Sequence, residues 1–342
     1  MSAANAISIR RSGLVTSVGL SAPAACAAFR ARLTNPRETE FINSSGERII
    51  GHEVLLEEAW RGIGKLTRMA EMVINEALVE VPRAQWTSLP LILCIAERDR
   101  PGRLQDLDQR LLLDVEEALG TSFSADSAVI SHGRVGTAIA LDWARKLLYE
   151  HKYPLVLIVA VDSLLVWPTL RHYERNDRLL SERNSNGFIP GEGACALLMS
   201  KPRGGADLLC TGVGFGSEPA HIESEAPQRA EGLTTAIRSA LRDAGCEMHD
   251  LDYRITDVSG EQYYFKEAAL ALARTLRKVK ESFDLWHPAE FTGEAGALSG
   301  ASLVAVASMA FKKGYAPGQG VLAHMGNDAG ERAAVVLRGL ES

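Results

Sequence analysis

Covalent catalysis needs a thiolate or an activated hydroxyl, and the residues that could supply one are five cysteines and the neighbouring Ser131 and His132. Cys94 lies in LILCIA and Cys195 in GEGACALL, both apolar runs, so these thiols read as core residues and not as nucleophiles. Cys26, Cys210 and Cys246 are widely spaced, the total is odd and no C-x-x-C occurs. Neither a disulfide framework nor a zinc site is indicated. The histidines show no HExxH or other ligand spacing, so neither a metal nor a cofactor is expected. Ser131 and His132 open a helix, where adjacent side chains point in different directions. His132 therefore reads as a packed or capping residue, not as a base for Ser131.

The elements that would position such residues alternate between strand and helix. Residues 6–9 read as a strand, followed by the glycine-bearing turn SGLVTSVG and a helix capped by Ser21, with Pro23 in its first turn. Residues 35–62 are polar and irregular; Met69, Val73, Ala77 and Leu78 then mark a helix, and residues 91–96 a strand. A helix is expected over 104–119, then a short strand, the turn SHGRVG, another helix and the run LVLIVAVDSLLV. That run is apolar on both alternating faces, as in a strand buried between helical layers. From Gly204 the order repeats: a strand at 208–213, a helix ending at Gly245, a strand at 253–258 and a helix at 266–276. A small-residue helix at 296–311 and strands at 321–324 and 333–338 complete it. Two such halves imply a layered α/β protein, divided at PRGGA into 1–203 and 204–342 within one rigid unit.

With 342 residues, 46% hydrophobic and 23% charged, the chain can build a large core. Its net charge is −6 and its 37 basic residues are scattered, which excludes an electrostatic footprint for nucleic acid. No stretch approaches the roughly 20 apolar residues that cross a bilayer, and MSAANAISIRR lacks a signal-peptide pattern, so a cytoplasmic protein is expected.

Four segments resemble the β-ketoacyl synthases of the thiolase-like superfamily: SGLVTSVGLSAPAACAAFRARL, NGFIPGEGACALLM, TGEAGALSGASLVAVASMAFKKG and HMGNDAGERAAVVLR. The second is the most specific, because it matches that family's GF..GEGA segment. The resemblance implies an αβαβα architecture of two similar halves with mixed five-stranded sheets. It also implies a cysteine nucleophile and two histidines, and here this chain departs. VISHGRVGTAIALDWARKLL resembles the nucleophile segment and places Gly133 at the cysteine. The TGH histidine corresponds to Glu294, and LDYRITDVSGEQ, similar to IDYVNAHGTST, places Asp257 at the other.

Glycine offers no side chain, and an ionised carboxylate cannot act as neutral imidazole does. Condensation by the family mechanism is therefore not expected. The pocket candidates are His132, Gly133, Asp257, Glu294, Gly326 and Gly330. Asp257 and Glu294 can be read as a general acid-base pair, with Ser131 and His132 beside them, or as carboxylates paired with neighbouring Arg or Lys. The leading expectation is a retired synthase homologue acting as a partner subunit or adaptor, in polyketide or fatty-acid assembly or alongside secreted bacterial effectors. The alternatives are an acyltransferase or thioester hydrolase in the old pocket, and a protein that only binds acyl-CoA or an acyl-carrier protein. The resemblance further implies a homodimer, or a heterodimer with a related subunit, across the sheet edge after the nucleophile helix. VLIVAVDSLLVWP would supply that surface, with Trp167 as an anchor.

Overall fold

The computed structural model describes residues 5–204 and 207–339. Its first half contains β1 (Ile7–Val15), α1 (Ala22–Arg30), a hairpin of β2 (Arg37–Ile42) and β3 (Arg48–Gly51), α2 (Gly62–Ala77), β4 (Leu91–Cys94) and α3 (Leu107–Leu119). It continues with β5 (Ala128–Ile130), α4 (Gly136–Tyr149), β6 (Val156–Ser163), α5 (Trp167–Arg175) and β7 (Glu192–Ser200). Then come β8 (Leu208–Ser217), α6 (Glu231–Ala244), β9 (Tyr253–Thr256), α7 (Gln262–Thr275), β10 (Leu285–Trp286) and α8 (Ala289–Thr292). The chain closes with α9 (Ala297–Lys312), β11 (Gly320–Gly326) and β12 (Glu331–Gly339).

The strands lie in the order β5-β4-β6-β7-β1-β8-β12-β11-β9-β10. Leaving the hairpin aside, each run of five has its third, second, fourth, fifth and first strand side by side. The two mixed five-stranded sheets therefore share one topology and join through their first strands, antiparallel from Ile7↔Cys210 to Ile9↔Leu208. We propose the boundary at 203/204 on this repetition; Gly205 and Ala206 of PRGGA lie outside the described residues.

Apolar patterning decides the layers. Helix α9 is buried on nearly every face and touches strands of both sheets, so it must lie between them. Helix α4 lies beside it. The outer face of the first sheet packs on α2 and α3, and that of the second on α6 and α7, which gives five layers. Ser21 caps α1 by accepting a hydrogen bond from the Ala24 amide at 3.4 Å.

Three expectations change. Strand β1 runs on through SGLV, which the glycine suggested as a turn. Gly13 is required for a close approach: a Cβ there would run into the Val73 carbonyl oxygen of α2. The polar stretch 35–62 contains the β2–β3 hairpin. The run VLIVAVD is β6, paired with β4 and β7 and buried inside the sheet, so it cannot serve as an exposed interface. Trp167 begins α5 and stacks on Phe41 at 6.4 Å instead of standing on a sheet edge.

Gly13→Ala is expected to push α2 off the sheet and cost about 1–3 kcal/mol. A urea unfolding midpoint unchanged from the parent would contradict that packing.

Candidate functional site

The carboxyl ends of β5, β9 and β11 converge beside the start of α9. Gly133 follows β5 and opens a 3-10 turn that leads into α4; its φ is +50°, and its N–H donates to the Ile95 carbonyl at 3.0 Å. Asp257 follows β9. Glu294 precedes α9 and is held by NGFIPGEG: its N–H donates to Ile189 at 2.8 Å, and its carbonyl accepts from Gly191 at 2.7 Å. Gly326 ends β11, and Gly330 ends the turn before β12.

The space into which a side chain at position 133 would project is already filled. A Cβ at Gly133 would run into the Glu97 carboxylate, which is bonded to Arg100. Arg100 in turn bonds Asp162 at 2.8 Å, and Asp162 accepts the Ala297 N–H of α9 at 2.8 Å. Among the described residues, the cavity left between Glu97, Arg134, Arg178 and Glu294 is about 10 Å³. That is the lower limit for a single water. Acyl pockets require hundreds of cubic ångströms.

Asp257 and Glu294 do not face each other as a bare pair, because Arg134 lies against both. Its Nη1 donates to Glu294 at 3.0 Å, and its Nε is 3.9 Å from Asp257. Its Nη2 donates to Asp328 at 2.6 Å and to the Tyr264 hydroxyl at 2.8 Å. Glu294 also accepts from the Gly296 N–H at 2.9 Å, Ser259 at 3.2 Å and Ser299 at 3.3 Å. Asp257 accepts the Gly326 N–H at 3.0 Å. Arg178 extends the cluster to Glu261 at 2.7 Å and Asp328 at 2.7 Å.

Burial pushes the Glu294 carboxyl up to about 7, against the Arg134 guanidinium that holds it down. Asp257 is raised by the same burial, again opposed by Arg134. Burial also works on Asp328, but Arg134 and Arg178 outweigh it and hold that carboxyl well below the usual range.

The remaining candidates stand apart. Ser131 donates to Asp108, and the exposed His132 lies 3.0 Å from Glu331 through Nδ1, so the two form no dyad. Gly330 meets the backbone of Glu218. Sequence reasoning missed Glu97, Arg100, Arg134, Arg178 and Asp328. One signal was available: Arg134 is a charged residue inside SHGRVG, a turn that had to be buried.

Two outcomes are expected. Gly133→Ser combines a left-handed φ with a clash against Glu97 and should destabilise by about 1–3 kcal/mol; an unchanged melting temperature would refute the filled space. Glu294 takes up a proton on folding, so its contribution to stability is full below about pH 4.5 and lost as pH climbs through 7. Glu294→Gln should flatten the fall in melting temperature across that window. Parallel curves for parent and variant would exclude it.

No family model matches the chain. A Streptomyces coelicolor protein described as "Putative polyketide beta-ketoacyl synthase 2" is 31% identical over 135 residues. Those residues make up 38% of this chain and 32% of that protein, so the match spans about a third of the relative. Solved structures match over nearly the whole length. The ishigamide ketosynthase/chain length factor superposes with a TM-score of 0.78 at 16% identity, covering 98% of this chain and 99% of that one. A type II polyketide synthase ketosynthase, solved with its acyl-carrier protein and bound to the hexaketide, gives 0.81 at 15%, covering 98% and 99%. A β-ketoacyl synthase from Burkholderia phymatum gives 0.75 at 15%, covering 98% and 100%. With its repeated five-stranded sheets and central α9, the chain has the thiolase-like fold of the β-ketoacyl synthases.

Proposed function

We propose that this chain is a catalytically retired relative of the β-ketoacyl synthases that works as a partner subunit, joining a related active subunit in polyketide assembly. The observation that carries the reading is the Glu97 carboxylate, locked to Arg100, in the space that a side chain at position 133 would need. A site with glycine at the position that resembles the nucleophile, carboxylates at the two that resemble the histidines and no acyl-sized cavity serves structure. One of the solved structures points the same way, because it pairs a ketosynthase with a chain length factor. One further structure holds an acyl-carrier protein, which makes a carrier protein the ligand we expect the assembled pair to meet.

The surface for assembly is the outer edge of β5, which pairs only with β4 and leaves its other side open. A cytoplasmic location belongs to the same proposal; among the described residues no helix is long and apolar enough to cross a membrane. A role beside secreted effectors would use the same surface with a different partner.

One observation favours a second reading. Glu294, pushed up to about 7, has the affinity for protons of a general acid or base in an acyltransferase or thioester hydrolase. Four donors already saturate it, however, and the cavity that it lines among the described residues, about 10 Å³, is too small for a thioester.

Incubation with acyl-CoA and acyl-carrier-protein thioesters decides between them. The expected result is no thioester consumed and no covalent mass adduct; consumption that Glu294→Gln abolishes would establish the enzyme reading. Saturable thermal stabilisation by acyl-CoA without turnover would instead indicate a binding protein. Light scattering should find a two-subunit particle, alone or with a co-expressed ketosynthase. A strict monomer under both conditions would overturn the subunit role.

A further inference from the structure

Away from the Gly133 cluster, two open cavities of about 430 and 350 Å³ meet at Trp60. They share none of the residues around Gly133. The first lies against the Arg68 and Met72 side of α2, and the second between the β2–β3 hairpin and the start of α5. Trp60 and Trp167 remain 41% and 43% exposed, well above the low exposure usual for tryptophan. Gly64 leaves room for the indole, since a Cβ there would sit 3.3 Å from Trp60.

The charge of this groove is one-sided. Four carboxylates and Arg68 line the first cavity; three carboxylates, Arg61 and Lys65 line the second. The basic groups are already engaged: Lys65 sits between Glu53 and Glu192 on the floor, Arg61 pairs with Glu40 and Arg68 with Glu71. Glu57 and Glu58 are exposed and have no ion-pair partner among the described residues. The net field is negative, and two indole faces stand beside it.

We propose that this groove docks a cationic segment of a partner polypeptide, an extended stretch whose lysine or arginine side chains stack on Trp60 and Trp167 and face Glu57 and Glu58. Cation–π contact and carboxylates select the same ligand charge. The length of two cavities end to end suits several side chains in succession, with aromatic anchors at the centre of the contact.

Fluorescence anisotropy with a labelled peptide alternating arginine and leucine tests this. Saturable binding is expected, weakened about tenfold by Trp60→Ala, by Trp167→Ala and by Glu57→Gln with Glu58→Gln. Binding should be undisturbed by the exposed Glu225→Gln with Glu281→Gln in the second half. Both indoles are more than half buried and Trp167 stacks on Phe41, so the alanine variants are expected to lose some melting temperature and are assayed where they remain folded; Glu57→Gln with Glu58→Gln, both exposed, should weaken binding with the melting temperature unchanged. Equal weakening by the second-half charge variant would reduce the effect to unspecific attraction and overturn the site. So would equal binding of a glutamate-leucine peptide, or insensitivity to both tryptophan changes. Argininamide binding as tightly as the peptide would assign the groove to a small cation and refute docking of a chain segment.

Discussion

The guanidinium of Arg134 is the contact on which the interior of this fold depends. It leaves the turn after β5 in the first sheet and reaches Glu294, Asp328 and the Tyr264 hydroxyl, all from the second half of the chain. A charge this deeply buried is tolerated only when its partners are in place; removing one side of such a pair typically costs about 3–5 kcal/mol. Arg178 repeats the device through Glu261 and Asp328. The apolar core around α9 supplies most of the attraction between the halves, but it is not directional. The arginines have fixed donor geometry and so set how the loops above that core meet.

The opposed titrations inside the cluster follow from the same geometry. Asp328 faces two guanidiniums and stays ionised, whereas Glu294 and Asp257 share one and sit close enough to repel. Burial is the larger cause at both carboxyls and Arg134 only partly offsets it, so Glu294 holds its proton up to about pH 7 and Asp257 is shifted the same way. This is why a site with an excess of acids can stay closed near neutral pH without expelling its side chains to solvent.

The layers were readable in the sequence because their elements are apolar or small-residue over a long run. The small residues of α9 and the unbroken apolar run of β6 mark segments buried between layers, although the same run was also read as a partner surface, which the strand's pairing on both sides rules out. Two elements escaped the sequence: β10 has two residues, and α5 is a nine-residue helix begun by Trp167 and Pro168 without the polar cap that marks α1. The hairpin β2–β3 was hidden because its register is irregular between Glu38 and Ile42. At the site, the resemblance of short segments to β-ketoacyl synthases singled out Gly133, Asp257 and Glu294. A resemblance cannot name what packs against such positions. Glu97, Arg100 and Arg178 come from loops after β4 and α5, far from any of the motifs, and only the folded backbone brings them together.

Hydrophobic residues could have closed this site and, by the energetics of buried ion pairs, with equal or better stability. The backbone argues otherwise. Helix α9 begins with amides that face the site, and Gly326 presents another; the first turn of a helix has no internal acceptors for them. Asp162 takes the Ala297 N–H, Glu294 that of Gly296 and Asp257 that of Gly326. An apolar filling would leave those donors buried without partners, at about 1–3 kcal/mol each. Carboxylates satisfy them and meet the positive end of the helix dipole, and the arginines then follow as the counter-charge. A buried site that presents such donors is thus closed most readily with charge.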